Sequence, residues 1–237
     1  MGRFAVGMKG RWLFWRDLRT YRRLPGGAEN PVTRIWPFYR DRFRQAGDLG
    51  EYFHQDLWAA RKVFAARPAR HVDVGSRVDG FIAHCLAFME VEVVDIRPLP
   101  RPPQGLRFIQ GDAATMAGFA DESIPSLSSL HAAEHFGLGR YGDAIDPLGH
   151  VTFMRSLARV LARRGRLYFS CPVGRSQKVE FNAHRILQPE SVLDAMPALR
   201  LASFGLVLPG GIVRDQAAID EVKEIDYGVG LFEFTRD

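Results

Sequence analysis

Two groups of residues in this sequence carry side chains whose type and spacing could do chemistry. The first is His131-Ala132-Ala133-Glu134-His135, two imidazoles and a carboxyl within five positions. The string fits the H-x-x-E-H pattern by which one class of zinc hydrolase holds its metal. That chemistry needs both histidines on one face of a continuous helix. Here the strand-like "SLSSL" precedes the string, and Gly137 and Gly139 follow within four residues. Glycine weakens a helix, so the letters read as a strand end opening into a loop, and no metal is expected. Histidine titrates near neutrality, which makes it a suitable general base. His135 is the first candidate for that role, with Glu134 to orient it or to bind a hydroxyl. Tyr141 and His184 are further candidates. Arg140 and Arg185 could bind an anionic substrate or pair with Asp143 or Asp146.

The second group is a series of acids, each at the end of a short apolar run. Asp73 precedes Gly75 and Ser76, Asp95 closes "VEVVD", and Asp112 sits in "GDA" after "LRFIQ". In an open α/β sheet, ligands bind beyond the carboxyl ends of the strands. A carboxylate about 20 residues after the first glycine can accept hydrogen bonds from two ribose hydroxyls. The G-x-G-x-x-G turn that a nicotinamide site needs is absent after the first strand.

The elements that must position these groups follow from hydropathy. Residues 48–66 have helical spacing, with apolar side chains at 53, 57, 60, 63 and 64 on one face. Strands are expected at 70–76, 91–97, 106–113, 126–132, 166–172, 199–208 and 228–237. Helices are expected at 80–89, at 150–165 with Gly165 just past its end, and at 188–197 with Pro189 at its start. The alternation predicts an α/β sheet with helices on both faces. No helix is evident between the last two strands, which allows an antiparallel pair at the sheet edge.

Charge divides the chain. Residues 1–44 hold eleven Lys/Arg against three Asp/Glu, while the full chain has a net charge of +5. The basic character therefore belongs to an N-terminal extension, residues 1–47, on a near-neutral body, residues 48–237. A basic arm suits an anionic lipid surface or an acidic partner better than it suits nucleic acid. Trp12, Phe14 and Trp15 lie among arginines; the expectation is that they pack on the body while the arginines face water, the alternative being an interfacial role. Two cysteines, Cys85 and Cys171, leave no disulfide framework. No run of 18 apolar residues and no signal-peptide core is present. A cytoplasmic setting, including the inner face of a membrane, is the expectation.

The order D-x-G at 73–75, an acid ending the second strand and G-D-A at 111–113 resembles the class I S-adenosylmethionine-dependent methyltransferases. The resemblance covers roughly residues 50–237. More narrowly, "YFHQDLWAARKV", "HVDVGSRVDGFIAH", "VVDIRPL" and "LHAAEHFGLGRYGD" are similar to the DUF268 group, some of whose members are linked to bacterial surface-polysaccharide gene clusters. The resemblance implies a Rossmann-like sheet of seven strands with the last pair antiparallel, and S-adenosylmethionine as cofactor. It implies Asp73 and Gly75, with Ser76, at the methionine end, and Asp95 on the ribose hydroxyls with Ile96 beside it. Asp112 would face the adenine amino group beside Ala113, and His131 and Ala132 would line the cofactor. The glycine-rich turn departs from the usual G-x-G-x-G, and Pro125-Ser126 replaces the acid often found before the fourth strand. The implied activity is methyl transfer to oxygen on a small-molecule or glycan acceptor. The alternative is a methyltransferase-like scaffold in a polysaccharide assembly complex.

Overall fold

The structure is a computed structural model and describes residues 3–47 and 49–237. The chain divides into two compact units, Met1–Asp48 and Leu49–Asp237.

The first unit is built on helix α1 (Arg3–Arg23). It runs until Pro25-Gly26-Gly27, where Gly26 takes φ +86° and proline cannot continue the ladder. The chain then returns across the helix at Gly10, where a Cβ would lie 1.7 Å from the Tyr39 carbonyl oxygen. Leu13 is buried, but Trp12, Trp15, Trp36 and Phe38 are exposed. The Arg16 guanidinium lies 5.3 Å from the Trp12 ring, and the Trp15 ring meets Phe14 edge-on at 5.4 Å.

The second unit begins with α2 (Glu51–Ala66), which buries Gln55, Asp56, Ala59, Ala60 and Val63. The expected apolar face is displaced, because Phe53 and Phe64 are exposed. Ala59, Ala60 and Val63 permit close packing, whereas Phe64 turns outward to meet the Phe88 ring edge-on at 5.2 Å.

A central sheet follows in the order β3-β2-β1-β4-β5-β10-β8-β9. Its parallel half comprises β1 (Val72–Val74), β2 (Val91–Asp95), β3 (Leu106–Gln110), β4 (Ile124–Leu130) and β5 (Leu161–Val173). β10 (Gly228–Thr235) lies antiparallel between β5 and β8 (Arg200–Leu208). The sheet thus has the α/β character expected, with eight strands rather than seven. The additional one is β9 (Ile212–Arg214), which Gly210 and Gly211, both at positive φ, fold back onto β8. A separate hairpin, β6 (Lys178–Glu180) and β7 (His184–Ile186), also escapes hydropathy because β6 is fully exposed.

Two helix boundaries differ from expectation. Residues 78–82 form a π-turn before the short α3 (Ala83–Leu86). Helix α4 (Gly149–Val160) stops five residues before Gly165, which instead lies within β5. The reason is register. Buried Leu161 pairs with Ile124, and the ladder then jumps to Ser126 with Arg166. The intervening residues bulge opposite Pro125, which has no N–H to donate. α5 (Pro189–Ala195) starts at its proline as expected. Apolar side chains fill both faces of the sheet, α4 and α5 covering one and α2 with α3 the other.

Candidate active site

The carboxyl ends of β1 to β4 open on one cleft. Gly75, Asp95, Ile96, Asp112, Ala113, His131, His135 and Tyr141 line it, all of them candidates from the sequence. Val74, Val94, Arg97, Ala132, Phe136 and Asp143 line it as well. Gly75 has φ +75°, and a Cβ there would lie 2.9 Å from that of Ala132. Glycine is what lets the end of β1 pass the end of β4. Gly80, in contrast, answers to α2: its Cβ would sit 2.1 Å from Asp56 Oδ2. It belongs to a packing contact and not to the ligand-facing turn.

Asp73 and Ser76 lie beneath the cleft and do not line it. Asp73 is fully buried. Its Oδ2 accepts from Ser76 Oγ at 2.6 Å and Ser128 Oγ at 2.5 Å, and its Oδ1 from the Ser76 amide at 3.0 Å. Ser76 Oγ in turn accepts the Leu130 amide. These bonds tie the β1 turn to β4. Behind Ser128, His71 Nε2 lies 3.0 Å from its Oγ and Nδ1 lies 2.8 Å from Ser126 Oγ. Since Ser128 gives its proton to Asp73, His71 Nε2 is the donor. Burial pushes His71 down to about 3 and Asp73 up to about 7.

At the second strand end, Asp95 Oδ1 accepts from the Arg97 amide at 2.8 Å and from Arg97 Nε at 3.0 Å, and Oδ2 accepts from Nη2 at 2.6 Å. At the third, Asp112 Oδ1 accepts the Ala114 amide at 2.8 Å and shapes the turn. At the fourth, His131 has φ +51°, a costly conformation for a residue with a Cβ. It is held by Gln55 of α2, whose Oε1 accepts from His131 Nδ1 and, at 2.6 Å, from Ser170 Oγ. The Tyr52 ring lies 4.8 Å from the His131 ring. Burial lowers His131 to about 3, so it is neutral.

Glu134 and His135 share a 3₁₀ turn, Ala133–His135. Glu134 is fully buried, and among the described residues neither of its carboxyl oxygens has a partner. Burial raises it to about 8, so it is a neutral acid at pH 7. His135 Nδ1 donates to the Ala183 carbonyl at 2.8 Å, and Nε2 lies 3.7 Å from Glu134 Oε1. Burial first, then the Arg140 charge, lowers His135 to about 4. Its Nε2 therefore carries a free lone pair at neutral pH.

Of the acceptor-side candidates, Glu134 is buried and does not line the cleft, and two more fall elsewhere. His184 sits on the β6–β7 hairpin, 3.4 Å from Glu180 Oε2, and does not line the cleft. Arg185 is buried and cannot meet a diffusing anion. Its Nη1 donates to the carbonyls of Glu134 and Phe136 at 3.2 and 2.7 Å, and Nη2 reaches those of Asp146 and Pro147 at 3.5 and 3.4 Å. Neither arginine pairs with the Asp143 carboxylate, which accepts the amides of Gly137, Gly139 and Tyr141. Sequence reasoning missed Gln55, Tyr52 and Arg97, of which only Arg97 had a local signal, being two residues beyond Asp95.

The buried titratable groups set the pH profile of stability. His71, His131, His135 and His150 all have folded pKa values depressed to about 3 or 4. The unfolded chain binds their protons first, so their effect lowers stability as pH falls below about 6.5. Asp73 and Glu134 are raised to about 7 and 8. Their stabilisation is full below about 4 and is lost as pH rises through 7 to 8. Urea unfolding across pH 4–9 should therefore show maximal stability near pH 6.5. Stability that kept rising from pH 7 to 8.5 would contradict this assignment.

Residues 115–196 match the family model described as "Caenorhabditis protein of unknown function, DUF268". No curated protein matches the sequence. Among solved structures, the chain is similar to the N-methyltransferase NodS of Bradyrhizobium japonicum WM9, solved with S-adenosylhomocysteine. The TM-score is 0.55 at 14% identity, over 88% of this chain and 95% of that one. It is also similar to the 1,6-didemethyltoxoflavin-N1-methyltransferase of Burkholderia thailandensis, solved with 1,6-didemethyltoxoflavin and S-adenosylhomocysteine. There the TM-score is 0.52 at 16% identity, over 77% and 79% of the two chains. A third, the [4+2]-cyclase SpnF, gives 0.54 at 13% identity over 88% and 84%. The chain thus has the Rossmann-like fold of the class I S-adenosylmethionine-dependent methyltransferases, with a segment at residues 115–196 that matches DUF268.

Proposed function

We propose that the protein is an S-adenosylmethionine-dependent methyltransferase acting on a hydroxyl of a sugar or glycan-related acceptor. The observation that carries the reading is the joint placement of Gly75, Asp95, Asp112 and His135 on one cleft. The cofactor, when bound, supplies a methyl group on a sulfonium for in-line transfer to a nucleophile. Asp95 would hold the ribose hydroxyls and the turn at Asp112-Ala113 the adenine, while Gly75 leaves room for the backbone to approach. His135 holds the acceptor's proton at Nε2. The apolar floor of Val74 and Val94 excludes water from the reacting groups. The first unit, with exposed Trp12, Trp36 and Phe38 among arginines, supports contact with an anionic surface or partner during surface-polysaccharide synthesis.

Calorimetry tests the reading. S-adenosylmethionine and S-adenosylhomocysteine should both bind, and Asp95→Ala should weaken them about 100-fold, since hydrogen bonds to a charged group contribute about 1.5–3 kcal/mol each. Absence of binding to the parent protein would sink the enzyme reading. Binding without turnover on any glycan, followed by mass spectrometry with labelled cofactor, would favour the scaffold alternative.

A further inference from the structure

We propose that Arg97 and Arg140 form a site for an oxyanion, a phosphate or carboxylate, on the methyl acceptor, and that a cofactor ribose on Asp95 completes it. The proposal rests on the methyl-transfer reading and adds the charge of the substrate.

Both guanidinium groups lie against one ring. Arg97 is 4.7 Å and Arg140 5.3 Å from the centroid of Tyr141, and that ring meets His135 edge-on at 5.5 Å. Arg140 Nη1 donates to the Ala183 carbonyl at 2.6 Å, the same oxygen that takes His135 Nδ1. The cation is thereby tethered beside the base. No carboxylate among the described residues is hydrogen-bonded to Arg140, which leaves most of its fork for another acceptor. The acids nearby are already engaged. Asp143 takes three loop amides, and Asp112 caps the turn at the other end of the cleft. Arg97 is paired with Asp95, so Arg140 is the cation on this ring without a carboxylate among the described residues, and the planar fork of arginine matches phosphate and carboxylate oxygens in pairs.

Arg97 adds a condition. A carboxylate oxygen offers about two acceptor positions. Asp95 Oδ1 uses both, one for the Arg97 amide and one for Arg97 Nε. A vicinal diol needs a position on each oxygen. The amide is fixed by the backbone, so Nε is the donor that leaves when a ribose binds. The guanidinium then turns on its Nη2–Oδ2 contact of 2.6 Å and presents its freed Nε edge beside Arg140 at the Tyr141 ring. Cofactor and anion then favour each other, and the coupling must be reciprocal.

The test titrates pyrophosphate and, separately, succinate into the full chain with and without saturating S-adenosylhomocysteine. At least one probe should bind about tenfold more tightly in the presence of S-adenosylhomocysteine, and the probe that responds tells phosphate from carboxylate. Arg140→Gln should weaken the probe about tenfold with S-adenosylhomocysteine affinity unchanged. Arg97→Gln should abolish the enhancement and bind S-adenosylhomocysteine at least as tightly as the parent. Equal probe affinity with and without S-adenosylhomocysteine, or an Arg97→Gln/Arg140→Gln double variant that binds both probes as the parent does, would overturn the proposal. If S-adenosylhomocysteine fails to bind the parent, the methyl-transfer reading falls. Probe affinity in Arg140→Gln without S-adenosylhomocysteine then still decides the anion site.

Discussion

His135→Ala should lower kcat about 10²- to 10⁴-fold, the range for loss of a general base, while S-adenosylhomocysteine affinity stays within about threefold of the parent. The two readouts separate because His135 touches the acceptor end of the cleft, whereas Asp95 and Asp112 lie at the strand ends that would hold the nucleoside. The pH profile is the sharper test. The base form of His135 exists above its folded pKa of about 4. The acid limb of kcat/KM should therefore lie near pH 4 rather than near 6.5, the ordinary histidine value. A second change is expected near pH 8, where buried Glu134 loses its proton 3.7 Å from Nε2 and places a negative charge beside the base. Glu134→Gln should remove that alkaline change and leave the acid limb in place. An unchanged kcat in His135→Ala would show that the nucleophile needs no base.

Arg185→Met should destabilise the second unit by about 2–5 kcal/mol. The guanidinium is buried and satisfies carbonyls from both ends of the loop between β4 and α4. Its loss strands at least the Glu134 and Phe136 carbonyls, at about 1–3 kcal/mol each, with a smaller contribution from the two longer contacts. For a unit of this size that corresponds to a drop in melting temperature of about 5–15 °C. Arg185→Lys should not rescue it, because a single ammonium cannot reach carbonyls on both sides. The loop it holds carries His135 and Tyr141, so methyl transfer should fall with stability. Urea unfolding gives the answer, and a loss under about 1 kcal/mol would mean that the loop stands without this arginine.

Most of the parallel half was legible because its strands carry apolar runs bounded by turn residues. Asp95 closes β2 and Asp112 follows β3 by two residues, so both emerge at the carboxyl edge once the strand is recognised. Asp73 sits inside β1, and Ser76 and Ser128 close over it and keep it out of the cleft. His184 and Arg185 were two polar residues in a hairpin with no hydropathy signal. One faces Glu180 and the other is buried under the loop. The H-x-x-E-H string follows β4 and enters a 3₁₀ turn, which the preceding apolar run and the flanking glycines made legible.

The sequence by itself determined the parallel half of the sheet and the residue types at the cleft, because hydropathy period and turn chemistry act between near neighbours. Only the tertiary structure decided which polar groups are spent inside and which remain for a ligand. Gln55 meets His131 across 76 positions, Ser128 meets Asp73 across 55, and Arg185 meets Phe136 across 49. A buried polar group must find its partner wherever the fold brings one. Such pairings leave no periodic trace along the chain, and they decide which acids and bases at this cleft are free.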